Sequence, residues 1–364
     1  GDFATDLAAF RGEQDVRRSV FVEMSKRSST LAENEKGEVA VVPGAWSGFE
    51  FDFSRAVVFY PLDGLTIENA DFSAAKFSNG SDFSGATFVG TVDFSRATFG
   101  EIAGFGDATF VGEANFTRAV FDEDARFSDV TFMGTADFSN AHFAGDAVFR
   151  WVSFNANAEF HEASFEGYAD FRDIAFVADV RFSGASFEQN AGFFRSSFGG
   201  NASFFRTDFA GVAEFREAVF EGYAGFDAAT FYGDAYFSRA AFEGLAGFRD
   251  AAFEAGADFA GASFIGIADF CEVSFAKSPP LFAAKNVESG EVYRARFVAL
   301  PTGSEAADKE AHDFAVCEGS HPIPLGTARL NGVGYRIPVG TVLFDPSSWD
   351  ERQKEYTRLS EPAQ

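Results

Sequence analysis

The chain has 364 residues, with 51 Phe against 8 Tyr, 3 Trp and 2 Met. No mixed hydrophobic core selects one aromatic so heavily, so the excess points to a repeat and away from an ordinary pair of domains. Against 29 Lys+Arg stand 55 Asp+Glu, a formal net charge of −26. That balance excludes direct binding to nucleic acid phosphates and suits a surface attracted to basic protein grooves. Two cysteines, Cys271 and Cys317, make no disulfide framework, so a reducing, cytoplasmic setting is the expectation. The apolar runs are too short for a spanning helix and no signal peptide is read, although the chain opens on Gly1.

Residues 1–35 read as one or two helical stretches with Leu7, Phe10, Val16, Val20 and Met24 on a shared face. Their expected role is a cap over the first coil of a β-solenoid, since an open sheet end invites edge pairing. Arg17, Arg18, Lys26 and Arg27 form a basic cluster, expected to meet acidic neighbours or solvent. Residues 40–60 read as strands leading into the repeat, which places an N-terminal segment at 1–61.

From Phe72 the chain reads ADFSAAKF, SDFSGATF, VDFSRATF, and continues so to Phe275. Phe falls at 72, 77, 83, 88, 94, 99 and onward in alternating steps of five and six, giving 38 Phe in 19 pairs. Two positions before each Phe stands a small or β-branched residue, usually Ala, as at Ala103, Ala108, Ala114 and Ala119. An inward Ala followed two residues later by an inward Phe is the period of a short strand with one buried face. Gly recurs four residues before the first Phe of many pairs, where a corner needs positive φ or close backbone approach.

Like residues can stack only if a coil holds a whole number of 11-residue units. Three faces are therefore excluded, two leave too thin a lumen for opposed rings, and six leave it hollow. Four faces and 22 residues per coil remain, an all-β parallel helix over residues 62–278 with small mixed α/β capping segments at both ends.

After Phe275 the tandem Pro279–Pro280 is expected to stop the ladder. In 279–364, GEVYRARFVAL reads as strand, SEAADKEAHDF as a short acidic helix, and TARL-NG-VGYRI as a hairpin with a type I′ signal at Asn331–Gly332. Ser348 with Glu351 reads as a capping box for a last helix carrying Trp349, Tyr356 and Leu359, which closes the end or dimerises.

These residues resemble the pentapeptide-repeat family, in its Phe-centred branch with alternating five- and six-residue steps. The resemblance covers the repeat array, with Leu62 and Ile67 as its first turn. It implies a right-handed quadrilateral β-helix and, for most members, no assigned activity. A few members are acidic dimers that mimic duplex DNA and bind bacterial DNA gyrase or topoisomerase, some conferring antibiotic resistance. This chain uses Phe where those favour Leu.

No phosphate loop, nucleophile elbow or HExxH is present. Asp71, Asp93, Asp137, Asp170, Asp258 and Asp269 precede the first Phe of their units and are expected outward, as columns of a solvated acidic face. The arginines Arg96, Arg118, Arg126, Arg172, Arg216, Arg239 and Arg249 are expected to pair between coils. His312, Cys317 and His321, with Cys271, match no zinc spacing and read as ordinary residues; a Cys271–Cys317 disulfide is a weak reading.

Tyr223, Leu245 and Ile267 fall 22 apart and form one candidate apolar stripe; Val89, Val111 and Met133 form a second. Each stripe is read as covered by a terminal segment of the chain, with a dimer or partner surface as the rival. Phe194 and Phe205 are expected outward, with Phe194 stacked on Arg172 or Arg216. The expectation is a non-catalytic acidic scaffold, without cofactor or metal, that binds another protein; the alternatives are a DNA mimic and a small enzymatic or metal-binding activity after the array.

Overall fold

A computed structural model describes residues 2–33, 39–285, 290–299, 323–352 and 355–364. They fall in two compact units divided between Ala178 and Asp179.

One 11-residue unit shows how the sequence makes the wall. Ala103–Gly104 and Thr109–Phe110 are two-residue strands, and Ala103, Phe105, Ala108 and Phe110 are fully buried. Between the strands Ala108 N–H donates to the Phe105 carbonyl at 3.0 Å while Asp107 sits at φ 58°, the signature of a type II turn. The same left-handed position recurs at Arg96, Arg118, Asp129, Asn140 and Trp151. Positive φ therefore falls two residues after the first Phe of a pair, mostly on residues that carry a Cβ, with glycine at Gly85, Gly184 and Gly261.

Most of the recurrent glycines serve the other use anticipated for them, close approach. A Cβ on Gly134 would lie 2.4 Å from the Gly112 carbonyl oxygen, so at this corner the backbone closes down on the coil below only because Gly134 carries no side chain.

In the first unit Ala103 pairs with Ala125, Thr109 with Thr131, Ala114 with Ala136 and Val120 with His142, all in parallel. In the second, Ala213 pairs with Ala235, Val219 with Ala241, Ala224 with Ala246 and Thr230 with Ala252. Every pair is 22 residues apart and the chain visits four ladders before returning to the first. Each unit is thus a four-sided parallel β-solenoid. Inside it, Phe116 lies 4.7 Å from Phe138 at 4° and 5.8 Å from Phe127 at 89°, so rings stack along a column and meet edge to face across it.

The lattice reaches beyond the regular repeat at both ends. Phe51–Asp52 already pairs with Ala70–Asp71, and Phe53 stacks on Phe72 at 5.1 Å. Pro279–Pro280 ends the 22-residue spacing but not the stacking, contrary to expectation: Phe282 stacks on Phe259 at 5.3 Å and Phe297 on Phe264 at 4.9 Å. Arg296–Val298 then extends the Ser263–Phe264 ladder, and Val342–Phe344 extends it again.

The N-terminal segment forms one helix, α1 (Asp2–Ser25). Phe21 and Met24 are buried, with Phe21 against Phe53 at 4.7 Å. Val16 and Val20 are 68% and 55% exposed, so they are not on the covering face. Polar anchors set that face. Gln14 donates to the Phe59 carbonyl, Arg18 to the carbonyls of Pro61 and Asp63, and Ser25 Oγ accepts from Thr66 N–H. After α1 a hairpin, Thr30–Glu33 with Val39–Val42, begins beside Ser29, whose N–H and hydroxyl both donate to the buried Glu68 carboxylate at 2.9 and 2.6 Å. Of the basic cluster, Arg17 pairs with Glu13, Lys26 and Arg27 with Glu23, and Arg18 with Asp63. Among the described residues no helix is long and apolar enough to cross a membrane.

At the C-terminal end Leu325–Leu330 and Val333–Pro338 form the expected hairpin, with Asn331 at φ 53° and Gly332 at φ 83°. Among the described residues the expected last helix is absent. Asp345, not Ser348, caps a single 3₁₀ turn at Pro346–Ser348, Ser348 Oγ turns back to the Asp345 carbonyl, and Trp349 is extended. Trp349–Asp350 pairs instead with Glu355–Tyr356. The acidic helix expected at 304–314 lies outside the described residues.

Candidate interaction surface

Since Phe and Ala fill the lumen, the chemistry of this chain stands on its outer faces. The acidic columns are less free than the sequence suggests. Asp71, Asp93 and Asp137 are half-buried, and each carboxylate accepts the N–H of the serine two residues on, at 2.7 to 2.8 Å. Asn115 does the same for Thr117 at 3.0 Å. These are Asx turns that lead the chain into the corner after Phe, each engaging one carboxylate oxygen. Asp170 departs further from its expected outward place. Its side chain is 4% exposed and grips Arg172 through two bonds, Nε to Oδ1 at 2.7 Å and Nη2 to Oδ2 at 2.6 Å. That pairing raises the Arg172 pKa further.

A second set of carboxylates was not singled out from sequence. Asp124 accepts from Asp146 N–H, and Asp146 from Tyr168 N–H, so each corner binds the backbone of the next. In the second unit Asp179 and Asn201 form the same chain, to Asn201 N–H and Tyr223 N–H. The signal available was the recurrence of Asp or Asn directly before the Ala or Val that opens a unit.

Arginine pairing is mixed. Arg126, Arg172 and Arg216 bind acids two residues before them within their own coil, against expectation, because neighbours i and i+2 on a strand face the same side. Arg239 and Arg249 do reach the adjacent coil, to Glu217 and Asp269. Phe194 is half-buried and carries Arg195 over its ring at 4.7 Å, not Arg172 or Arg216; Arg206 covers Phe205 likewise at 4.9 Å. Arg216 lies over Tyr236 at 3.9 Å.

The two apolar stripes differ. Tyr223, Leu245 and Ile267 stack by backbone one coil apart, and Leu245 and Ile267 stay 40% and 45% exposed. Tyr223 turns away from them, its ring lying over Gly225 and Gly247 and its hydroxyl donating to Asp227. A Cβ on Gly225 would come within 2.5 Å of that ring, so glycine there makes the room. Burial and the Asp227 carboxylate raise the Tyr223 pKa. In the other stripe Val89 is buried, drawn into the long strand Thr87–Asp93 opposite Glu68, while Val111 and Met133 are half-buried. It is not a continuous exposed surface.

Among the described residues no group of three His, Cys, Asp or Glu is placed to hold a metal. His312, Cys317 and His321 lie outside the described residues. Cys271 is disulfide-bonded, against its reading as an ordinary packing residue and in favour of the disulfide given less weight from sequence, and the bond removes the ground on which a reducing setting was expected.

A family model for pentapeptide repeats (9 copies) matches residues 94–141, 130–175 and 204–251. Among solved structures the chain is similar to HetL, a pentapeptide repeat protein involved in heterocyst differentiation regulation from the cyanobacterium Nostoc sp. strain PCC 7120. The identity is 17% and the TM-score 0.19, over 62% of this chain and 85% of that one. No curated protein matches.

Proposed function

Since the chain belongs to the pentapeptide-repeat family, we propose that it is a non-catalytic scaffold that binds another protein through its outer walls. The observation that carries this reading is the exposure of Leu245 and Ile267, stacked one coil apart. Apolar side chains aligned in this way bury area together against a flat partner, and the chain's net charge of −26 favours a basic one. Val111 and Met133 offer a smaller, half-buried contact in the first unit.

The test is affinity capture by the intact chain and by Leu245→Glu/Ile267→Glu, compared by quantitative mass spectrometry. Both residues are exposed, so the variant keeps its fold. The scaffold reading expects a defined set of proteins to fall about tenfold or more with the variant; an unchanged set removes this face from consideration.

DNA mimicry toward a gyrase or topoisomerase rests on the net charge of −26. It is the weaker reading, because Asp71, Asp93 and Asp137 are engaged in turns and arginines interrupt the walls. A supercoiling assay in which the purified chain inhibits or protects the enzyme at micromolar concentration would reverse that ranking.

A further inference from the structure

Helix α1 crosses the open end of the first coil but covers it unevenly. Along one flank Gln14 and Arg18 donate to the carbonyls of Phe59, Pro61 and Asp63. Along the other, α1 stands off from the strand Phe51–Asp52 and leaves a cavity of about 590 Å³, walled by Val20 and Met24 on the helix and by Trp46 and Phe51 opposite. Phe51–Asp52 pairs on one side only, with Ala70–Asp71. Phe53 N–H points that way, to the Asp71 carbonyl at 2.7 Å. By the alternation of a parallel strand, the N–H and C=O of Asp52 therefore point to the open side.

A free strand edge beside an apolar wall is the arrangement that accepts an added strand. Glu50 and Asp52 are exposed at its rim, whereas Glu23 is already neutralised by Lys26 and Arg27. A second copy of this chain would bring another net charge of −26 to the same place, so charge favours a basic occupant over a homodimer. We propose that this groove binds an extended segment of a partner protein, alternating apolar and basic residues, which adds a strand to the Phe51–Asp52 edge. The site goes beyond the scaffold reading, since it uses neither Leu245 nor Ile267 and can fail or succeed independently of them.

Fluorescence anisotropy with a labelled heptapeptide of alternating Lys and Val tests this on the full chain at physiological ionic strength. Two controls separate strand addition from general attraction to an acidic protein. One is the same peptide N-methylated at alternate residues, which keeps its charge but cannot pair along an edge. The other is the exposed-site variant Val20→Asn, which removes apolar wall without changing the charge. The proposal expects saturable binding that weakens about tenfold or more with either control. Absence of binding, equal binding of the N-methylated peptide, or equal binding to Val20→Asn overturns it. So does concentration-dependent dimerisation that Val20→Asn abolishes, which would assign the groove to a second copy.

Discussion

Phe127 and Phe53 are the same residue type at equivalent lattice positions, yet their surroundings differ. Phe127 has parallel rings on both sides, Phe105 at 4.8 Å and Phe149 at 4.7 Å, and edge-on rings across the lumen. Phe53 has a lattice partner on one side, Phe72, and on the other a helix residue, Phe21, tilted by 32°. In the interior, order comes from repetition, so every coil is held by copies of itself. At the end it comes from a few individual contacts, and polar anchors replace the missing coil.

The sharpest way to break that comparison is to remove one interior ring. Phe127→Ala should cost about 3–5 kcal/mol in chemical denaturation, since its stacked neighbours cannot collapse into the gap. A loss under about 1 kcal/mol would mean that the lattice repacks freely, and that interior and end are alike. Next is the end itself. Glu68→Ala strands the N–H and hydroxyl of Ser29 and should cost about 1–3 kcal/mol. Hydrogen exchange should place the loosening in α1 and the hairpin, leaving coils around Phe127 protected.

Asp93→Ala removes one Asx turn and should cost about 0.5–1.5 kcal/mol, while Asp93→Asn should be close to neutral because Asn115 already makes the same turn in the neighbouring coil. Equal losses in the two variants would point to charge, not turn geometry. The smallest effect runs the other way. Ala228 sits at φ 55°, so Ala228→Gly should raise stability by a few tenths to about 1 kcal/mol, with thermal unfolding as the readout.

Much of the fold was legible because a solenoid repeats one local decision. Alternation of five and six sets the strand period, Ala and Phe occupy the inward positions, and register follows from stacking like on like. The candidate surfaces were less legible, since outward direction alone does not say whether a side chain is free. Asp170 and Asp71 share a sequence position, but one clasps Arg172 and the other bonds to a backbone N–H. Tyr223 and Leu245 share a column, but only glycine beneath Tyr223 lets its ring lie down.

What the sequence determined by itself was the 22-residue coil with its aromatic interior, because inward packing is local and periodic, and each coil gives the next its template. Tertiary structure decided the remainder: which flank of α1 seals the first coil, that Asp345 and not Ser348 caps the last turn, and which acids remain for a partner. Those outcomes depend on single contacts between segments distant in sequence, and no period in the chain encodes them.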